Sequence, residues 1–293
     1  MNGPHMIPAV GQANGQTIGD AAFRTVARHL QEQTGIVLTD VKKGLAVSRL
    51  SRRLRALQLP DFDAYCDVLS GPDGAAEMQE MVLLLTTNVT RFFREPHHYD
   101  ALRTQILPGL VAKAKSGGRV RLWSAGCSSG EEAYSMAMCV LEAFPQAAPS
   151  NIRILATDID SNMITKGQTA RYQLSEDDLS EHPILLKHMV KVPGRDRYVD
   201  IAEPAKSMVR FARLNLQDPW PMQGKFDVIF CRNVVIYFST ETQQKLWPRF
   251  AKALNHGGHL MIGHSERVTG PALTPLRSVG VTHYELQAQG AMT

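Results

Sequence analysis

The sequence predicts an α/β protein in which a small N-terminal helical domain precedes a doubly wound domain with a mostly parallel sheet. Up to about residue 87, apolar residues recur at helical spacing and no strand candidate is present. Beyond that point, short apolar runs alternate with helical segments, which is typical of βαβ units. We therefore expect a flexible tail over residues 1–17, a helical domain over 18–87 and an α/β domain over 88–293.

The helical domain is predicted to contain a helix capped by Asp20 and ended by Gly35, which occupies the position after the last helical turn. Its apolar residues lie at i, i+3, i+4 and i+7, so that one face is buried. Three further helices are expected at Val41–Leu57, Phe62–Leu69 and Ala75–Thr86. This unit should form a small helical bundle.

The second domain is predicted to contain five strands and three helices. The strands are Val120–Ser124, Ile152–Thr157, Phe226–Cys231, His259–Gly263 and Val281–Leu286. The helices are Glu131–Phe144, Ser161–Lys166 and Glu241–Leu254. Within about residues 188–213, the runs Val190–Val192 and Tyr198–Ile201 flank a Pro-Gly pair, which indicates a small antiparallel β-subdomain.

Composition places the chain among ordinary folded proteins. Its 293 residues are 44% apolar and 20% charged, which excludes disordered and collagen-like classes. The net charge of +4 is too small to indicate a nucleic-acid-binding chain as a whole. No apolar run approaches the roughly 20 residues of a membrane-spanning helix, and the N-terminal residues lack a signal-peptide pattern. We expect a cytoplasmic protein that does not insert into a membrane.

The cysteines indicate neither a metal nor a disulfide framework. They are Cys66, Cys127, Cys139 and Cys231, and no two form a CxxC pair. Reduced thiols and no metal site are therefore expected.

A glycine turn connects the first predicted strand to the helix that follows it. Gly126 and Gly130 let the backbone approach a ligand closely, and the helix N-terminus offers unpaired N–H groups. The turn is neither a P-loop nor a complete GxGxxG motif. It indicates a nucleotide-type cofactor, with a tight structural turn as the alternative.

The second strand ends in an acidic segment that supports the same interpretation. Asp158 lies at the strand tip, where a carboxylate can accept hydrogen bonds from ribose hydroxyls. Asp160 is better placed as the N-cap of the next helix. Together with the glycines, Asp158 predicts an adenosine-bearing cofactor.

Two further segments are too rich in functional side chains for simple connections. Residues 86–95 (TTNVTRFFRE) combine polar groups with Phe92 and Phe93, which we expect to be buried packing residues. Residues 231–238 (CRNVVIYF) follow a strand next to the expected topological switch point, where ligands bind. Tyr237 there is either functional or an ordinary half-buried aromatic.

These segments, with SAGCSSGEEAYS (124–135), TDID (157–160) and GHSE (263–266), resemble the CheR family over residues 18 to 287. The resemblance implies a class I S-adenosylmethionine-dependent methyltransferase that esterifies glutamates of bacterial chemotaxis receptors and releases S-adenosylhomocysteine. It also implies a helical N-terminal domain and a β-subdomain.

The resemblance assigns site residues in addition to Gly126. Cofactor contacts are implied at Asn88, Thr90, Arg94, Glu132, Asp158, Asn215, Leu216, Arg232 and Asn233. Glu131 is an alternative to its neighbour Glu132. Arg94 and Tyr237 are the candidates for aligning the substrate carboxylate, which needs no general base because its pKa is about 4.3.

The second helix carries an unusual run of positive charge. Between Val41 and Gln58 there are six basic residues and no acidic one. A solvated helix face is the ordinary explanation, but the resemblance implies that this helix docks an acidic substrate by charge complementarity. Arg49, Arg52 and Arg53 share a face at i, i+3 and i+4 spacing and are the predicted docking set.

The expected partner is the cytoplasmic methylation region of chemoreceptors, bound by a monomer that takes no nucleic acid. One alternative is a class I methyltransferase of a nucleic acid or small molecule, with the basic helix following phosphates. Another is a cofactor-loaded signalling adaptor without turnover. Uptake of labelled methyl groups by each substrate would distinguish these functions.

Overall fold

The computed structural model describes residues 17–287, apart from Asp73 and Thr274. Residues 1–16 of the predicted tail lie outside this range. The chain divides into two compact units, one up to Thr86 and one from Thr87. Along the described residues, no helix has the length and hydropathy that crossing a membrane requires.

The first unit contains the predicted helices. They are α1 (Asp20–Thr34), α2 (Lys43–Ala56), α3 (Phe62–Ser70) and α4 (Gly74–Leu85). Gly35 ends α1 in the left-handed conformation, with φ of 77°, as predicted. The predicted N-cap is wrong, because Gly19 holds that position while the Asp20 carboxylate pairs with Lys43 on α2.

The second unit contains ten strands within the described residues. They are β1 (Val120–Ala125), β2 (Ile152–Asp158), β3 (Arg171–Gln173), β4 (Met189–Lys191), β5 (Tyr198–Ile201), β6 (Val209–Arg213), β7 (Phe226–Cys231), β8 (Leu254–Ile262), β9 (Leu276–Gly280) and β10 (His283–Leu286). Seven of them form one sheet in the order β6-β2-β1-β7-β8-β10-β9. From β6 to β8 the strands run parallel, and β10 pairs in antiparallel fashion with both of its neighbours, β8 and β9. This is the predicted doubly wound arrangement.

Helices cover both faces of the large sheet. They are α5 (Pro96–Ala101), α6 (Leu107–Lys115), α7 (Glu131–Ala143), α8 (Ser161–Thr169), α9 (Glu176–Glu181), α10 (Ile184–His188), α11 (Glu203–Met208) and α12 (Thr240–Ala253). Successive β1 side chains point to opposite faces. Leu122 therefore packs in the core that contains most of α7, whereas Trp123 packs in the core beside Phe250 of α12.

The small antiparallel sheet has the order β3-β5-β4 and spans residues 171–201, not 188–213. Two short segments account for the difference. The three-residue strand β3 joins this sheet, and β6 pairs in parallel with β2 and so belongs to the large sheet. Strand β6 is the outer strand of that sheet, so its polar and apolar residues alternate and its sequence resembles a solvent-exposed hairpin.

Candidate active site

The parallel strands of the large sheet end at one edge, here called the carboxyl edge. Loops that follow β1, β2, β6, β7 and β8 meet there. Such an edge, next to the point where the strand order reverses, is where open α/β sheets bind ligands. Here the reversal lies between β2 and β7, on either side of β1.

The glycine turn after β1 is tightly packed against the loop after β7. Gly126 has φ of 84°, and a Cβ there would lie 2.3 Å from Cγ2 of Val234, in the loop after β7. Gly130 has φ of 99° and precedes the first turn of α7. Both glycines are therefore required by the backbone, and the turn aims the N-terminal amides of α7 at the carboxyl edge.

Asp158 lies at the end of β2, as the ribose assignment requires. Its Oδ2 accepts a hydrogen bond from the Ser128 amide at 2.8 Å, and its Oδ1 accepts one from the Asp160 amide at 2.9 Å. Burial raises the pKa of Asp158, and these amide bonds oppose that rise. A carboxylate has acceptor capacity beyond two bonds, so the geometry fits a pair of ribose hydroxyls. Asp160 caps α8, as predicted.

The segment before α5 is held against the same edge. The side-chain amide of Asn88 donates to Asp160 Oδ2 at 2.7 Å, and the Ser128 hydroxyl donates to the Asn88 carbonyl at 2.9 Å. At the other end of the segment, Arg232 donates to the carbonyl of Arg94. Thr90 lies half-buried between these two anchors. The structure thus brings residues 88–94 to the loops after β1, β2 and β7.

Arg232 and Glu132 form a buried ion pair beneath this edge. The Arg232 Nη1 atom lies 3.1 Å from Glu132 Oε2, and the Ser124 hydroxyl donates to Glu132 Oε1 at 2.6 Å. Glu131 instead accepts from the Ser129 hydroxyl. Both Arg232 and Glu132 therefore have protein partners, through which they fix the loops that bear the other predicted contacts.

Glu95 is a site residue that the sequence reasoning did not assign. Its Oε1 accepts hydrogen bonds from Nδ1 of His264 at 2.9 Å and from the side-chain amide of Asn233 at 3.3 Å. Burial alone would raise its pKa, but the bond from His264 and the charge of Arg232 lower the pKa of Glu95 to about 2. Glu95 is thus a fixed anion that joins three loops.

A group with metal-ligand chemistry overlaps this residue. One ligand atom each of Glu95, His97 and His98 lies within 4.8 Å of the others. The buried guanidinium of Arg232, however, is 3.4 Å from Glu95 Oε2 and already compensates its charge. The local field therefore disfavours a cation.

Asn215 and Leu216 follow β6 in a braced segment. The Asn215 side chain accepts from the Gln217 amide at 3.0 Å. The carbonyl of the buried Leu216 accepts from Arg249 at 2.5 Å. Arg249 also stacks over Trp220, 4.3 Å from the ring centroid. The segment is thereby presented at the carboxyl edge.

The loop after β7 carries the other predicted residues. Asn233 adopts the left-handed conformation with φ of 58°, which a short polar side chain tolerates. Tyr237 is half-buried at the end of a single 3₁₀ turn, Val235–Tyr237. Phe92 and Phe93 are buried in the core, as predicted. The roles of Arg94 and Tyr237 in transfer stay predictions.

The three arginines of the predicted docking set on α2 differ in whether they contact other residues of the helical unit. Arg53 pairs with the buried Glu77 on α4, and Arg49 donates to the carbonyls of Leu84 and Thr86 at 3.1 and 2.7 Å. Only Arg52 of the three is exposed. Two of the three predicted docking arginines are therefore held by contacts within the helical unit, which leaves Arg52 as the exposed member of the set.

The doubly wound sheet and its carboxyl-edge loops define an α/β protein of the cofactor-binding type, and the match to a SAM binding domain identifies it as an S-adenosylmethionine-dependent methyltransferase. Residues 88–284 match the CheR methyltransferase SAM binding domain, and residues 21–86 match the CheR methyltransferase all-alpha domain. The chain belongs to the CheR methyltransferase family.

Curated relatives agree with this assignment. A probable chemotaxis protein methyltransferase of Rhizobium etli is 45% identical over 264 residues, covering 89% of this chain and 98% of the relative. The chemotaxis protein methyltransferase of Salmonella typhimurium is 37% identical over 251 residues, covering 85% and 84%. The Escherichia coli protein of the same name is also 37% identical over 251 residues, covering 85% of each.

Proposed function

We propose that this methyltransferase acts as a monomer in the cytoplasm and esterifies glutamate side chains in the cytoplasmic methylation region of bacterial chemoreceptors. The supporting observation is Arg94. Of its guanidinium donors, only Nη1 has a hydrogen-bond acceptor among the described residues, the carbonyl of Val89 at 2.9 Å. An arginine has five N–H donors, so Arg94 offers a fork for a carboxylate beside the cofactor segment.

The chemistry required of the protein is positioning. S-adenosylmethionine, when bound, supplies a methyl group activated by its sulfonium. A glutamate is already ionised at neutral pH, so the protein must hold one carboxylate oxygen in line with that methyl group and exclude water. Arg94 orients the carboxylate and balances its charge, and the Tyr237 hydroxyl donates a hydrogen bond to it. The product is a glutamate methyl ester.

The exposed face of α2 supports a helical, acidic partner. Leu45, Arg52 and Arg55 are exposed and lie within about 80° of one another at 100° per residue. Val41, just before α2, is 95% exposed. This stripe has an apolar end and a basic end, which is the pattern that would bind an amphipathic acidic helix.

The test is transfer of labelled methyl groups from S-adenosylmethionine to a purified chemoreceptor cytoplasmic fragment. We expect labelled product that releases methanol in mild alkali, because methyl esters hydrolyse there whereas N-methyl groups do not. A fragment with its acceptor glutamates changed to alanine should stay unlabelled. Arg94→Ala should lose transfer, whereas Arg91→Ala, an exposed arginine of the same segment, should retain it.

Two results would contradict the proposal. Alkali-stable label in the receptor would show a different acceptor atom. Label taken up by RNA but not by receptor would favour a nucleic-acid methyltransferase, with α2 following phosphates.

A further inference from the structure

The carboxylate of Glu266 binds the loop that follows β7. Its Oε1 accepts hydrogen bonds from the amides of Val234 (2.9 Å), Val235 (2.9 Å) and Ile236 (3.3 Å). Its Oε2 accepts from the amides of Asn233 (3.1 Å) and Gly263 (2.5 Å). Glu266 is only 3% exposed. One buried side chain thus satisfies five backbone donors, four of them in the loop that leads to Tyr237.

This arrangement differs from an ordinary buried ion pair. Among the described residues, no lysine, arginine or histidine forms an ion pair with Glu266. The charge is stabilised by amide dipoles instead, much as a carboxylate is stabilised at a helix N-terminus. Buried amides without acceptors are costly, so the loop conformation and the Glu266 carboxylate depend on each other.

The end of β8 leaves this loop no room to shift. A Cβ on Gly263 would lie 2.6 Å from the side-chain nitrogen of Asn233, 2.7 Å from its backbone nitrogen and 2.9 Å from Glu266 Oε2. Asn233 is therefore held from two sides, by packing against Gly263 and by hydrogen bonding to Glu266. Its side chain in turn donates to Glu95.

We propose that Glu266 is a positioning residue for methyl transfer, whose carboxylate fixes Asn233 and Tyr237 at the carboxyl edge. Glu266 acts through the loop backbone and contacts neither cofactor nor substrate. The inference rests on the proposed function where it concerns Tyr237. Where it concerns Asn233, it rests only on cofactor binding.

The discriminating variant is Glu266→Gln, which keeps the shape of the side chain. All five contacts are accepted by carboxylate oxygens, so the amide NH₂ group of glutamine would face backbone N–H donors. We expect kcat to fall on the order of a hundredfold, since displacing a catalytic group by about 1 Å costs that much. The Kd for S-adenosylhomocysteine, measured by calorimetry, should rise about tenfold. The matched control is Glu285→Gln, which changes a carboxylate on β10 that pairs with Arg277. This variant should have the wild-type kcat and the wild-type Kd for S-adenosylhomocysteine.

A double-mutant cycle separates positioning from general loss of structure. If Glu266 acts through Tyr237, then Glu266→Gln should cost far less in kcat when Tyr237 is already phenylalanine. Equal losses in the two backgrounds would overturn the role toward Tyr237. Wild-type kcat and cofactor affinity in Glu266→Gln would overturn the inference altogether.

Gly263→Ala keeps the Glu266 carboxylate in the chain but crowds both Asn233 and Glu266 Oε2, and it is the second test if Glu266→Gln does not fold. We expect the same reduced kcat and weakened affinity for S-adenosylhomocysteine. Normal values for both would overturn the inference. Calorimetry with S-adenosylhomocysteine needs no protein substrate. Failure of the wild type to methylate receptors would therefore count against the proposed function only. The role of Glu266 in fixing Asn233 would still be tested by the measured Kd.

Discussion

Arg53 and Glu77 form an ion pair that joins α2 to α4, with Arg53 Nη2 2.6 Å from Glu77 Oε2. Arg53 Nε also donates to both carboxylate oxygens at 2.9 Å, and the Tyr65 hydroxyl donates to Oε1 at 2.9 Å. Glu77 is 5% exposed, so without this guanidinium its charge would be buried and unpaired. Arg53 thus stabilises the helical domain, whatever else the basic helix does.

We therefore predict that Arg53→Ala destabilises the protein by about 3 kcal/mol, the usual cost of removing one partner of a buried pair. Arg52→Ala, one residue away but exposed, should change the free energy of unfolding by no more than about 0.5 kcal/mol. Urea denaturation of the full-length protein measures both. Equal stability of the two variants would show that the Arg53–Glu77 pair contributes nothing.

Charge reversal of the exposed face, Arg52→Glu with Arg55→Glu, should weaken receptor methylation. We expect kcat/KM for the receptor fragment to fall by about tenfold at low salt. Wild-type activity should itself decline as salt rises, because exposed charges are screened beyond about 8 to 10 Å at physiological ionic strength. Cofactor affinity should be unaltered, since α2 lies in the helical unit. Full activity of the double variant at low salt would exclude this face as the docking surface.

S-adenosylhomocysteine should raise the melting temperature of the wild type, because a ligand at a hundred times its Kd stabilises the folded state by about 2.7 kcal/mol. Asp158→Ala should lose most of that shift. Asp158 also accepts hydrogen bonds from two backbone amides, so the variant without ligand should have a lower melting temperature than the wild type. The quantity to compare is therefore the ligand-induced change in melting temperature of each protein. Asp200→Ala, on β5, should keep the shift. A shift with NAD but none with S-adenosylhomocysteine would refute the cofactor assignment.

Tyr237→Phe removes one hydroxyl and should lower kcat more than it alters the Kd for S-adenosylhomocysteine. We expect the loss in kcat because the proposed role of the hydroxyl is to align the carboxylate during transfer. Tyr198→Phe, on β5 of the small sheet, is the matched control and should keep wild-type kcat. Unchanged turnover in Tyr237→Phe would assign that residue to packing.

Stability should decline on acidification below about pH 6.5. Burial lowers the pKa of His98 to about 3, with Arg232 adding to the effect, and burial lowers the pKa of His283 to about 4. An unfolded histidine binds a proton near pH 6.5, so the unfolded chain takes up protons that the folded chain refuses. Each residue then contributes a loss of up to about 1.4 kcal/mol per pH unit as the pH falls.

The variant His98→Gln isolates one of these contributions. Its free energy of unfolding should depend less steeply on pH between about 6 and 4.5, because the non-titrating side chain removes one proton-uptake site. The exposed His256 serves as the control, since His256→Gln should retain the wild-type slope. The same slope in all three proteins would contradict the assignment to His98.

The elements with strong apolar patterns were predictable from the sequence. All five predicted strands exist, and β7 has the predicted bounds. The strands that were missed are β3, β6 and β9, and each is short or lies at a sheet edge, where one side of the backbone is unpaired and polar residues are tolerated. Strand β10 begins later than predicted because Thr282, with φ of 49°, is still in the turn from β9.

Contacts between distant segments could not be predicted in the same way. Glu95 and Glu266 stand in the motif strings TTNVTRFFRE and GHSE, so their segments were singled out, but spacing along the chain cannot show that both reach the loop after β7. Likewise, helix periodicity placed Arg49, Arg52 and Arg53 on one face but could not reveal Glu77 on α4. Pairing in three dimensions decides which charges are available to a partner.

The order of these segments along the chain has a consequence for biosynthesis. Residues 88–95 are made early, yet Glu95 is joined to His264, and Asn233 is held by Glu266. An emerging polypeptide therefore lacks the parts that fix the loops predicted to hold the cofactor until the ribosome has passed residue 266 and β8 has paired with β7. We therefore expect cofactor binding to become possible only late in synthesis, and truncated chains that end before Gly263 should be unable to consume S-adenosylmethionine.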